Sequence, residues 1–306
     1  MLCVIIPSPQ KLTVTSYGMA PQVILVTGCS SGIGLSTAQR LAQDPDQRYL
    51  VIATVIAIAE KTELVAAVGD AIDKTIFIKE MDITKDEDIT RVVDDVMKTH
   101  GGIDILINVA GVAGIGLPER ASRARIDRIF NVNAIGTIRL TLAVLPHMKQ
   151  KKAGKIISVS SLAGKQGFPY AEFYTASKFA LEGFFESLLC TVRSFNIRIC
   201  MIEPTQVKTG LLQWALSETD GLSKDDTVHE IDRRQMRCFC DHMAAFPSMS
   251  VDDVVDVLMT KCVEVDDPVF RHLVVSTEDK EALGEAVADL TGEKSIASLR
   301  KMIGAM

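Results

Sequence analysis

Tyr174 and Lys178 stand four residues apart in a stretch, Phe173–Phe195, whose apolar residues recur at helical spacing. Side chains four apart share one helix face. A free phenol loses its proton near pH 10, far from neutral. A neighbouring ammonium stabilises the phenolate. Lowering the phenol pKa by about 3 units takes roughly 4 kcal/mol, and would let Tyr174 exchange a proton with an alcohol or carbonyl. A lone Tyr-x-x-x-Lys recurs by chance on protein surfaces. Here Ser161 stands thirteen residues before the tyrosine, at the end of the β-branched run Lys155–Val159 followed by Ser160. A serine hydroxyl at a strand end can hold a substrate oxygen as charge develops on it. Ser160 fits a turn or cap better.

A second group of residues suits a phosphate. The run Val23–Val26 leads into Thr27-Gly28-Cys29-Ser30-Ser31-Gly32-Ile33-Gly34 and then a helical pattern. Glycine permits positive φ and close backbone approach to a ligand. The helix start that follows offers free N–H groups and a partial positive charge. Three glycines between the first strand and the first helix point to a dinucleotide pyrophosphate, although the spacing is G-x-x-x-G-x-G rather than G-x-G-x-x-G. An oxidised nicotinamide beside Tyr174 would add positive charge in favour of the phenolate. The second strand ends Ala53-Thr54-Val55-Ile56-Ala57-Ile58, with neither an acid for a ribose 2′-hydroxyl nor an arginine for a 2′-phosphate. Asp82, ahead of Ile83, either meets the adenine or caps the helix after Thr84.

These groups need a scaffold of alternating strands and helices. Strands are expected at Val23–Thr27, Tyr49–Thr54, Ile76–Ile78, Ile105–Asn108, Lys155–Val159 and Ile197–Ile202. Most are apolar on both faces, as strands covered by helices on both sides must be. Helices are expected at Ile33–Gln43, Lys85–Thr99, Ser122–Lys149 and Phe173–Phe195. The pattern predicts an α/β fold, a doubly wound parallel sheet in three αβα layers. The 306 residues divide into an extension at 1–21, with Met19 a second candidate start, one domain at 22–280 and a tail at 281–306. Within the domain, 205–248 lacks strand patterning and is expected to form one or two short helices as a substrate lid. Ser250 is expected to cap a helix from Val251 to Val263.

Composition sets the outer bounds. A net charge of −6 gives no broad basic face for nucleic acid. The longest apolar run, Leu50–Ala59, is about half a membrane span, so no transmembrane segment is expected. Seven scattered cysteines suit reduced thiols and a cytoplasmic setting. Cys238, Cys240 and His242 lack a fourth ligand and the usual spacing, so no metal is expected.

Taken together, Thr27–Gly34, Asn108-Val109-Ala110-Gly111, Asn133-Ala134-Ile135-Gly136, Ser161 and Tyr174-Thr175-Ala176-Ser177-Lys178 resemble the motif set of the short-chain dehydrogenase/reductase family. The resemblance covers about residues 22–265. The stretches VTGCSSGIGL, Leu145–Ile157 and YTASKFALEGFFESL are similar to its steroid- and retinol-converting branch. The resemblance implies Tyr174 as general acid/base and Ser161 as partner of the substrate oxygen. Lys178 would bind the nicotinamide ribose and lower the tyrosine pKa, and Asn133 would hold a water in a proton relay. Cofactor contacts would come from Thr27, Gly28, Ser30, Ser31, Gly32, Ile33, Gly34, Asp82, Ile83, Ala110, Gly111, Tyr174, Lys178, Pro204, Val207 and Thr209. Substrate contacts would come from Ser161, Leu162, Phe168, Pro169 and Tyr174.

Three departures from the family pattern stand out. Val109 replaces an asparagine that normally helps hold the central sheet. Pro204-Thr205 replaces Pro-Gly. Ile56 stands where the steroid and retinol branch carries arginine, leaving Ser31 of the usual 2′-phosphate contacts. With no NAD-preferring acid either, NADP(H) is slightly favoured over NAD(H).

The expected activity is interconversion of an alcohol and a carbonyl on an apolar steroid- or retinoid-like substrate. The competing expectation, prompted by Val109 and the bare second strand, is a catalytically weak dinucleotide-binding sensor. Leu211, Leu212 and Trp214 are expected around the reacting centre, with Met236, Phe239, Met243 and Phe246 closing a long cleft. The polar run Gly164-Lys165-Gln166-Gly167 argues the other way, for a smaller or more polar substrate. Ile126–Met148 and Phe173–Phe195 are apolar around much of their circumference, for example at Phe179, Leu181, Phe184, Phe185 and Leu188. The resemblance implies that they pair in a homodimer. A lipid-like substrate would also suit peripheral membrane contact.

Overall fold

The computed structural model describes residues 20–275 and 291–304. The expected extension at 1–21 lies outside them, apart from its last two residues. Seven strands form one sheet: β1 (Gln22–Val26), β2 (Tyr49–Val55), β3 (Ile76–Glu80), β4 (Ile105–Asn108), β5 (Gly154–Val159), β6 (Ile197–Pro204) and β7 (Arg271–Val274). Their order is β3-β2-β1-β4-β5-β6-β7, and every adjacent pair is parallel. Every residue of β2 is buried, as a strand covered on both faces requires. The chain winds outward from β1 to β3, then returns to β4 on the other side. That reversal opens a crevice at the carboxyl ends of β1 and β4, where such sheets bind ligands.

Helices cover both faces. α1 (Gly32–Ala42), α2 (Thr62–Val68) and α9 (Val251–Val257) pack on one, with Leu41, Leu64, Val254 and Leu258 in its core. α3 (Asp86–His100), α5 (Thr137–Lys151) and α6 (Glu172–Val192) pack on the other through Val92, Leu140, Val144 and Phe185. α3 shows why such a segment is helical. Its buried Ile89, Val92, Val93 and Val96 form one stripe, acids fill its first turn, and Gly101 closes it at φ 80°.

α4 (Arg123–Phe130) joins α5 through a π-helical turn, Asn131–Gly136, so the single helix expected at Ser122–Lys149 is three consecutive pieces. Arg123–Lys151 is long and apolar enough to cross a membrane, but half of its most apolar window is buried inside the fold. Its apolarity is that of a core helix, with Leu140, Val144, Leu145 and Met148 facing the sheet. Ser250 caps α9 as expected: its hydroxyl accepts from Asp253 N at 3.1 Å, and the Asp253 carboxylate accepts from Ser250 N at 2.8 Å. A second π-helical turn, Leu258–Val263, continues that helix to the expected end.

Residues 205–248 form two helices longer than expected, α7 (Gly210–Ser223) and α8 (Glu230–Ala245). In the tail, α10 (Glu293–Met302) lies against α8. Met302, Met236, Phe239, Val228, Tyr170 and Leu117 make a third apolar cluster outside the two sheet faces.

Candidate active site

The turn between β1 and α1 is built for close approach. Gly28 has φ 71°, and a Cβ there would lie 2.8 Å from Ala110 Cα. A Cβ on Gly34 would lie 2.1 Å from the Gly28 carbonyl oxygen. Neither position tolerates a side chain. Ser31 precedes α1 without a side-chain cap, and the first turn carries no acid. The N–H groups and positive end of α1 are therefore left for an outside anion. Ser30, Ser31, Gly32 and Ile33 line the cleft at this point. This cradle fits a dinucleotide pyrophosphate.

From the glycine turn, a cleft of about 790 Å³ runs along the carboxyl edge of the sheet and under α7 and α8. Of the expected cofactor residues, Gly28, Ser30, Ser31, Gly32, Ile33, Gly34, Asp82, Ile83, Ala110, Gly111, Tyr174, Lys178, Pro204, Val207 and Thr209 line it. Thr27 does not. It is buried, and its hydroxyl accepts from Val109 N at 3.0 Å and Ala110 N at 3.1 Å, so it braces the β4 loop from below. Asp82 closes a turn by accepting from Thr84 N and Oγ1, at 2.9 and 2.7 Å, while lining the cleft. The capping alternative fails, because α3 begins only after Lys85. Glu60, in the turn after β2, also lines the cleft, beside Ile56. It lies just beyond the strand end searched for an acid.

Ser161 leaves β5 in extended conformation and caps a short turn, Leu162–Gly164, accepting from Ala163 N at 3.1 Å. Tyr174 and Lys178 face it from α6. The buried Lys178 ammonium donates to the Val159 carbonyl at 3.0 Å and lies 5.7 Å from the centre of the Tyr174 ring. Burial pulls the ammonium down to about 8, and the Glu182 carboxylate opposes that. Burial pushes the Tyr174 phenol above its usual value, and its hydrogen bond with Ser161 opposes that. In the free protein, then, desolvation outweighs the lowering expected from the ammonium.

Asn133 stands behind this group, in the π-helical turn. Its Nδ2 donates to Val112 O at 2.9 Å and Ser177 Oγ at 3.1 Å, and its Oδ1 accepts from Val112 N at 2.8 Å. A Cβ on Gly111 would touch that oxygen at 3.4 Å and the Lys178 nitrogen at 3.9 Å. The amide of Asn133 therefore ties the loop after β4 to α6. Val109 packs partly against the core on the α1 face and also lines the cleft, which is how the apolar substitute is accommodated.

Of the expected substrate residues, Ser161, Leu162, Phe168 and Tyr174 line the cleft, and Pro169 does not. Leu211, Leu212, Phe239, Met243 and Phe246 line it too. Trp214 is outside it, exposed, with Arg125 5.7 Å from its ring centre. Met236 is buried in the third apolar cluster instead. Gln166, from the polar run named above, lines it as well, and Gln206, His242, Ser298 and Met302 line it without having been expected. Gln166 and Gln206 follow adjacent strands, and Ser298 and Met302 come from the tail helix, which has no motif to announce it.

The same chain matches the family model for short chain dehydrogenases over residues 22–220. Retinol dehydrogenase 8 of Bos taurus is 44% identical over 190 residues, 62% of this chain and 60% of that one. Human 17-beta-hydroxysteroid dehydrogenase type 1 is 32% identical over 217 residues, covering 70% of this chain and 66% of its own. This chain thus spans about three-fifths of the bovine relative. A short-chain dehydrogenase structure from Streptomyces avermitilis superposes with a TM-score of 0.73 at 24% identity, over 91% of this chain and 98% of that one. A metagenomic short-chain oxidoreductase in complex with NADP has a TM-score of 0.64 at 25% identity, over 83% of this chain and 96% of its own. With the glycine turn, the sheet order and the Ser161, Tyr174 and Lys178 cluster in place, the chain belongs to the short-chain dehydrogenase/reductase family.

Proposed function

We propose that the protein is an NAD(P)-dependent oxidoreductase that interconverts an alcohol and a carbonyl on an apolar, retinoid- or steroid-like substrate. One observation carries this reading. Ser161, Tyr174 and Lys178 share a wall of a cleft that begins at the glycine turn and ends among Phe239, Met243 and Phe246. When bound, the dinucleotide supplies or accepts the hydride. The glycine turn and the start of α1 hold its pyrophosphate. The Ser161 hydroxyl orients the substrate oxygen. Tyr174 gives or takes the proton at its phenol oxygen, and the Lys178 ammonium stabilises the phenolate that results. The apolar end excludes water and seats the body of the substrate. The printed activities of the retinol and steroid relatives support this substrate class. Val109, which prompted the sensor reading, packs partly against the core and lines the cleft with an apolar side chain, while Ser161, Tyr174 and Lys178 all stay in place.

For cofactor choice, Ser31 offers a hydroxyl at the ribose end, but Ile56 is apolar and Glu60 is acidic. A carboxylate there opposes a 2′-phosphate and suits a 2′-hydroxyl. The slight preference for NADP(H) expected from Ser31 is thereby offset, and selectivity between the two dinucleotides should be low. For the assembly we propose a homodimer, and for the setting a cytoplasmic protein with peripheral membrane contact near exposed Leu211 and Trp214. The deciding experiment is a panel of retinoids, steroids and short polar alcohols with both dinucleotides. Faster turnover of short polar alcohols than of all-trans-retinol or estradiol would overturn the substrate class.

A further inference from the structure

Behind the catalytic wall lies a buried cluster that the proton and hydride steps do not use. Glu182 follows Lys178 by one turn on the buried stripe of α6 and is 4% exposed. Its Oε2 accepts from Arg271 Nε at 3.2 Å and lies 3.9 Å from Lys165 Nζ. Glu203, at the end of β6 and 3% exposed, faces the same two cations at 3.2 and 3.6 Å. Arg271 also reaches Glu186 at 2.9 Å. On its other side, Glu182 presses against the turn that carries Ser161. A Cβ on Gly164 would lie 2.9 Å from Glu182 Cγ, 3.3 Å from its Oε1 and 2.8 Å from Ser160 Oγ. Neither Glu182 Oε1 nor Ser160 Oγ has a hydrogen-bond partner. One carboxylate thus touches the serine turn, shares a helix with Tyr174 and Lys178, and is clamped by a cation from β7 and another from the turn after β5.

A buried ammonium holds its proton only if something offsets the loss of water. Lys178 donates to the uncharged Val159 carbonyl of β5, and the neutral Asn133 amide of the π-helical turn flanks Gly111 together with the Lys178 nitrogen. On α6 it has the Tyr174 ring and the Glu182 carboxylate, which supports its charge. Glu203, Lys165, Arg271 and Glu186 stand beyond Glu182.

We propose that Glu182 is a positioning residue whose clamped, buried carboxylate keeps Lys178 cationic and seats the Ser161 turn, so that the Tyr174 phenolate keeps its stabilising charge at alkaline pH. This rests on the reading of Tyr174 and Lys178 given above. Without the carboxylate, Lys178 loses its proton at lower pH, the phenolate loses its stabilising charge, and the alkaline arm of the rate profile falls earlier.

The test is the pH profile of kcat/KM for all-trans-retinol oxidation in Glu182→Gln, Glu182→Asp and the parent. In Glu182→Gln the alkaline midpoint should move down by about one pH unit, a loss of about tenfold at pH 9 with little change at pH 6.5. Glu182→Asp, which keeps the charge one methylene shorter, should recover about half of that shift. The Lys178 Nζ resonance, titrated by NMR in the protein without dinucleotide, should shift in parallel. A uniform loss at every pH, or an unmoved midpoint, overturns the proposal. If Glu182→Gln yields no soluble protein, Glu182→Asp decides it: a midpoint equal to the parent's is the overturning result. Tyr174→Phe in the same assay separates the two readings. Retained turnover there sinks the acid/base assignment. A dead Tyr174→Phe beside an unmoved Glu182→Gln profile sinks only the role of Glu182.

Discussion

In the proposed reaction the Tyr174 phenol must carry a proton near neutral pH, and it has less help than its sequence neighbours suggest. Burial raises the phenol while Lys178 is itself pulled down to about 8. Both line the cleft that starts at the glycine turn, so a bound dinucleotide would bring its charge to where the proposed reaction needs it. On the proposed roles, Tyr174→Phe removes the proton carrier and no other group that would hold the dinucleotide. Turnover should fall by about 10²–10⁴-fold, with the dinucleotide dissociation constant changed by a few-fold at most. Stopped-flow turnover and fluorescence titration check the two halves. At the ribose end, Ile56→Arg with Glu60→Gln replaces an apolar and an acidic side chain by a cation and a neutral amide. The NADPH/NADH ratio of kcat/KM should rise at least tenfold. An unchanged ratio would mean that this turn does not read the ribose.

Among elements, α10 has the least obvious role from its place in the chain. It lies beyond the residues matched by the family model, yet Met302 and Ser298 reach the cleft. Met302 is buried against α8 and lines the apolar end. Met302→Trp should therefore reduce kcat/KM for all-trans-retinol by about tenfold while sparing a small alcohol such as cyclohexanol. Equal losses on both would assign α10 to stability alone. The elements that position the chemistry are legible in the sequence for physical reasons. Strands such as β2 are apolar on both faces, and α3 shows an unbroken apolar stripe at helical spacing. β7 is hidden because its four residues include Arg271 and His272, with no alternation to mark a strand. α2 is hidden by its seven-residue length. The Glu182 and Glu203 cluster is hidden because strand order, not chain order, assembles it. The same holds for Cys200, Cys262 and His272, whose ligand atoms converge within 4.8 Å. Thr27 and Asn133 were recognisable as residues, but their hydrogen bonds to loop backbone show only in three dimensions.

At the scale of the whole molecule, two forces are open to test. The first is the cost of ionising Glu203. Burial and the neighbouring Glu182 push its carboxyl up to about 7. The unfolded chain ionises near 4.5, so between that value and 7 the folded state holds more protons and stability falls as pH rises. Below pH 4.5 the penalty is absent, and above pH 7 it is complete. Glu203→Gln should raise Tm at pH 8 and leave it nearly unchanged at pH 4.5. An equal gain at both values would rule out ionisation as the cause. The second force is association. Ile135, Leu142 and Phe179 remain exposed on the π-helical turn, α5 and α6, with Phe179 45% exposed. An isologous pairing would cover them. Light scattering should show a dimer at micromolar concentration, and Phe179→Glu should give monomer. A monomeric parent would count against the pairing.

Part of the cleft's apolar end comes from the tail helix α10, while the glycine turn follows the first strand. During synthesis the nucleotide cradle leaves the ribosome long before the helix that closes the apolar end. A premature stop codon after β7 would therefore preserve the cradle and all the catalytic side chains. Among the described residues, it would remove the part of the wall contributed by Ser298 and Met302, with the packing of Met302 in the third apolar cluster. Such an allele should behave in genetics as a change of substrate range rather than as a null.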